Sequence, residues 1–70
     1  MNIIGPNIRK IREASGLTQE ELAARCNLLE WDISRGTIAK IESQVRRITD
    51  IEVLLFSKAL NVTPTELYIE

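Results

Sequence analysis

The sequence predicts a compact all-α bundle of five short helices. Three observations predict it: four repeats of one helix-start signature, a fifth segment bounded by Gly5-Pro6 and Ser15-Gly16, and no sustained apolar–polar alternation of the kind a strand needs. In each signature a branched apolar residue precedes Ser or Thr, and a second apolar residue follows five positions after the first. The four are Leu17-Thr18 with Leu22, Ile33-Ser34 with Ile38, Ile48-Thr49 with Val53, and Val62-Thr63 with Leu67. Each reads as a hydrophobic staple closing around an N-cap hydroxyl.

The first helix is expected over 6–14, with Ile8 and Ile11 on its buried face and a left-handed turn at Ser15-Gly16. The second, 19–28, starts from a capping box of Thr18 and Glu21, and its Ala23 is small enough for another helix to cross closely. Cys26 lies one turn beyond Leu22 and belongs to the core, and Leu29 continues the same spacing. The third, 35–43, is capped by Ser34 and turns Ile38 and Ile41 inward, which leaves Arg35, Thr37 and Lys40 on other faces. Arg46 and Arg47 follow it, so residues 35–47 hold four cations against Glu42 alone, a charge of +3. The fourth, 50–60, opens on the Thr49–Glu52 box. The fifth, 64–69, pairs Thr63 with Glu66 and places Pro64 where a missing N–H costs nothing.

Seventy residues allow one domain, expected over 4–69 with 1–3 as a tail, and one small core burying ~60% of the unfolded surface. The single cysteine and the lack of histidine exclude a disulfide framework, a zinc finger and a His-based catalytic triad. With no glycine-rich phosphate loop and no evident carboxylate pair, the chain reads as a non-enzyme with no cofactor, metal or small-molecule ligand. Neither a signal peptide nor a membrane span is visible, so the cytoplasm is the expected compartment and no membrane partner is expected. The net charge of −1 argues mildly against nucleic acid, but residues 1–47 sum to +2 and residues 48–70 to −3. That polarity decides which surface approaches phosphate.

The segments GLTQEELA, ISRGTIAKIE and LLFSKALNVTPTEL, in this order, resemble the lambda-repressor-like (XRE or Cro-type) helix-turn-helix family over about Ile4 to Leu67. The resemblance implies that the third helix lies in a DNA major groove while the second braces it across the backbone. It implies base reading at Arg35, Gly36, Thr37 and Lys40, with Arg35 suited to guanine and Gly36 letting the helix approach the bases. It implies phosphate contacts from Thr18, Gln19, Ser34, Ser43, Gln44, Arg46 and Arg47, and a structural ion pair between Arg12 and Glu42. Taken singly, Gly36 also reads as a tolerated first-turn glycine, and Arg46-Arg47 as a solvated surface. Three departures stand out. The connection 27–32 is about five residues longer than the family's tight turn, Gln44 stands where glycine is frequent, and Ile48 where proline is frequent.

On the fourth helix Val53, Leu54, Ser57 and Leu60 are expected to face the core, and Ile51, Leu55 and Ala59 to form a second apolar stripe. Either Trp31 and its long loop cover this stripe or another subunit does. The expected partners are double-stranded DNA and a second copy, meeting through Ile51, Leu55, Ala59, Leu67, Tyr68 and Ile69. The functional expectation is a transcriptional regulator that represses by occupying an operator. The alternative is an antitoxin-like or regulatory protein-interaction module docking through the fourth helix.

Overall fold

Caps and staples place the helices where the sequence marks them. The structure, a computed structural model, describes residues 3–68. Its order is α1 (Ile4–Ala14), α2 (Gln19–Leu28), α3 (Arg35–Glu42), α4 (Asp50–Leu60) and α5 (Pro64–Tyr68). Thr18 and Thr49 each close a full capping box with Glu21 and Glu52, and the Ser34 hydroxyl accepts from the Thr37 N–H at 3.2 Å. The Thr63 box forms by half. Both the N–H and the hydroxyl of Thr63 reach Glu66 Oε1, while the Glu66 N–H turns to the Thr63 carbonyl.

Four helices end in one motif. The N–H groups of Leu17, Trp31, Val45 and Val62 return to the carbonyls of Arg12, Cys26, Lys40 and Ser57. Each closure passes through one left-handed residue: Gly16, Glu30, Gln44 and Asn61, with φ of 73°, 63°, 69° and 57°. Only the first of these is glycine.

α1 starts two residues earlier than expected, and this changes the meaning of Gly5. It sits inside the first turn with α1 pressed against α3: a Cβ built there lands on the Ile41 carbonyl oxygen and 3.1 Å from its carbon. The glycine is therefore a contact between helices and not only a helix opener. Ile8, Leu22, Cys26, Ile38, Ile41, Phe56 and Leu67 are completely enclosed. Each Ile, Leu or Phe so buried contributes roughly 1.5–3 kcal/mol of transfer free energy. α3 rests on α1 and α2, α4 packs on α2 and α1, and α5 closes against α1 and α4. Asn7 fastens the last contact by donating to the Leu67 carbonyl at 2.8 Å.

The long connection is built rather than loose. Asn27 Nδ2 donates to the carbonyls of Trp31 and Ile33, and Trp31 meets the Phe56 ring edge-on with centroids 4.8 Å apart. The loop thereby covers part of α4, and Ile33 is delivered buried to the start of α3.

On α4 two expectations are corrected. Ala59 belongs to the core and Leu54 is half exposed at 50%. Phe56, fully buried, sets the inward direction, and the outward row is Ile51, Leu54 and Lys58 with Leu55 at its margin. Leu67, expected at a subunit interface, is likewise enclosed in the fold. Tyr68 is exposed, and Ile69 lies outside the described residues.

Candidate nucleic-acid interface

The site is built on α3, whose two faces differ sharply. Ile38 and Ile41 are fully buried, with Ile33 stapled beneath the first turn. On the opposite side Arg35, Gly36 and Lys40 are exposed, and Thr37 and Ala39 are half-buried. Neither Arg35 nor Lys40 has an ion-pair or hydrogen-bond partner for its side chain among the described residues, so both charges point at solvent uncompensated. The Thr37 hydroxyl lies 3.1 Å from Ser34 Oγ, which already serves as the cap.

A buried network holds this helix in place. Arg12 of α1 grips Glu42 with two bonds, of 2.8 and 3.1 Å, and its third arm reaches the Leu17 carbonyl at 2.7 Å. The hydrogen bond to Glu42 raises the Arg12 pKa further above its ordinary value, so the guanidinium stays charged. Gln19, at the first turn of α2, donates to the same carboxylate at 3.0 Å. One ion pair thus joins α1, α3 and the start of α2. With every charge paired and hydrogen-bonded, the pair fixes geometry more than it adds stability.

The expected phosphate set meets different fates. Thr18, Ser34, Ser43 and Arg47 are exposed around the two ends of α3 and the start of α2. The Thr18 oxygen accepts from the Glu21 N–H, which leaves its own hydrogen to donate. Ser43 turns its hydroxyl to the Lys40 carbonyl at 3.2 Å. Gln44 takes the left-handed position glycine usually fills, so the loop keeps its path at the cost of some backbone strain. Gln19 is half-buried, and one amide hydrogen is committed to Glu42.

Arg46 is a correction. Its guanidinium forms a bidentate pair with Glu52 at 2.8 and 3.1 Å and donates to the Arg47 carbonyl at 3.0 Å. It braces the loop against the α4 cap, and its charge is neutralised inside the chain. That pair also lowers the Glu52 pKa, helped by the Thr49 N–H and opposed by burial. Among the described residues, the adjacent Arg47 side chain has no partner. Cys26 is fully enclosed, and burial pushes its thiol up to about 11.

A family model described as helix-turn-helix matches residues 8–67. The chain belongs to that family. No curated protein matches the sequence. Among solved structures, the chain is similar to the restriction-modification controller protein C.AhdI from Aeromonas hydrophila, with 29% identity and a TM-score of 0.81. The match covers 94% of this chain and 92% of that one. This helix-turn-helix protein is a sequence-specific DNA-binding transcriptional regulator. Among the described residues, no helix is long and apolar enough to cross a membrane.

Sequence reasoning missed three members of the arrangement: Gln19 as a partner of Glu42, Glu52 as the partner of Arg46, and Leu54 as an outward residue. Leu54 had a readable signal. It shares a helical row with Ile51 and Lys58, and a lysine marks a row as solvent-facing. The two side-chain pairings had none, because glutamate three residues after Thr49 reads as a cap whether or not an arginine joins it.

Proposed function

We propose that this regulator is a repressor acting by occupancy. Two copies sit on a palindromic operator, each with α3 in a major groove, and block transcription without any chemistry or cofactor. The supporting observation is the two-sidedness of α3: completely buried isoleucines lock the rod, and Arg35 and Lys40 leave it unpaired. In this reading Arg35, Gly36, Thr37 and Lys40 face base edges, with Arg35 on guanine O6 and N7. Thr18, Gln19, Ser34, Ser43, Gln44 and Arg47 lie along phosphates. The second copy docks on α4 through Ile51 and Leu54, 68% and 50% exposed, with Leu55 and Tyr68 at the edge. Such a two-fold pair spaces its recognition helices about 34–36 Å apart, one turn of DNA. The cytoplasm is its place of work.

Selection of bound duplexes from a randomised pool tests the proposal. The expected result is one enriched sequence with two related halves. Arg35→Ala and Lys40→Ala then weaken binding to it by about 1–3 kcal/mol each, with melting temperature unchanged. A wild-type protein that enriches nothing overturns the reading. The exposed Ile51 and Leu54 also fit a protein-interaction module, which would show little affinity for random-sequence DNA at any salt concentration. Sedimentation of wild type against Leu54→Glu decides whether α4 joins two copies.

A further inference from the structure

The three glycines of this chain answer to different constraints. Gly5 is demanded by packing, since any side chain there collides with the Ile41 backbone. Gly16 is favoured by conformation, at φ +73°. Gly36 answers to neither. It lies in the first turn of α3 with an ordinary helical φ, and a Cβ there meets only Ser34 Oγ, at a comfortable 3.8 Å. Lys40, one turn on, does not occupy the space either, although helical side chains lean back toward the N-terminus. The fold would accept alanine at this position and be firmer for it. Nothing in the fold itself therefore requires glycine at this position.

We infer that Gly36 is a specificity determinant, a gap on the base-reading face that admits the 5-methyl group of a thymine. This rests on the DNA-binding reading above and names what one position of that site recognises. The chemistry selects the group. Guanine, adenine and cytosine present polar atoms to the major groove, and these gain nothing from a surface with no side-chain donor or acceptor. The thymine methyl needs only room and an apolar Cα to rest on. Arg35 and Lys40, on either side along the exposed face, hold the polar contacts that set the register.

The test is a cycle on the duplex enriched from a randomised pool. Gly36→Ala is compared with wild type on that duplex, on the same duplex with each thymine in turn replaced by deoxyuridine, and on an unrelated duplex. The variant is expected to melt about 2–6 °C higher, to bind the enriched duplex about tenfold more weakly, and to bind the unrelated duplex unchanged. A single deoxyuridine at the contacted position should weaken wild type about three- to fivefold and leave the variant unaffected. If the variant binds the enriched duplex like wild type, melts lower, or responds to every deoxyuridine as wild type does, the inference fails and the regulator reading stands. If wild type enriches no duplex, both fail together.

Discussion

Arg46 and Arg47 are neighbours of identical type, and the structure predicts that they fail in opposite ways. Arg46→Ala removes both bonds to Glu52, whose side chain is only 11% exposed, and strips the loop of its link to the α4 cap. The Glu52 carboxylate still accepts from the Thr49 N–H, so it is not wholly abandoned, and the Glu52 N–H still donates to the Thr49 hydroxyl oxygen. A buried pair broken on one side costs about 3–5 kcal/mol, but an exposed one only ~0–1 kcal/mol. Arg46 is itself 38% exposed and water reaches its charge, so the loss should fall between, at about 1–2 kcal/mol. For a domain this small that lowers the melting temperature by about 5–15 °C. DNA binding by the folded protein should keep its salt dependence, because Arg46 brings no uncompensated charge. Arg47→Ala should do the reverse, with unchanged melting and a log–log salt slope shallower by about 0.9. Thermal denaturation, and fluorescence anisotropy on random-sequence duplex across a salt series, read both quantities. An Arg46→Ala protein that melts like wild type and loses salt slope as Arg47→Ala does would refute the assignment of Arg46 to the fold.

Gly5→Ala should destabilise the protein by about 2–4 kcal/mol, since α1 and α3 must separate to admit the methyl group; a denaturant midpoint equal to wild type would show that the helices are not in contact there. Glu30→Gly should stabilise it by about 0.5–1 kcal/mol by relieving a left-handed residue at the end of α2, read as a higher urea midpoint with an unchanged m-value. Glu52 also sets a pH dependence. Its folded pKa lies below the ordinary 4.5, so its contribution is complete above that pH and is lost as the pH falls through the depressed value. Melting temperature should therefore drop on acidification below about pH 4.5, with a smaller drop in Glu52→Gln measured over the same range.

Local rules carried most of the fold. A side-chain oxygen that pairs a first-turn N–H acts within four residues, so Thr18, Ser34 and Thr49 could be placed without knowing any neighbour in space. The exposed face of α3 was legible for the same reason: a staple and two isoleucines three residues apart fix which way the remaining side chains point. The periodicity of α4 was harder to read. Its apolar residues are too many for one stripe, and a wheel alone does not say which of two faces a bulky Phe56 and an approaching Trp31 will claim.

The sequence by itself determined five helices, four of them from capped starts, with limits to within two residues, and the cationic outer face of the third. Tertiary structure alone decided which arginine is spent inside the chain and which glycine is needed for contact. The physical reason is range. Caps, staples and helical periodicity are settled within a turn or two of backbone, whereas Arg46 with Glu52, Gly5 with Ile41, and Trp31 with Phe56 become neighbours only after whole helices have docked.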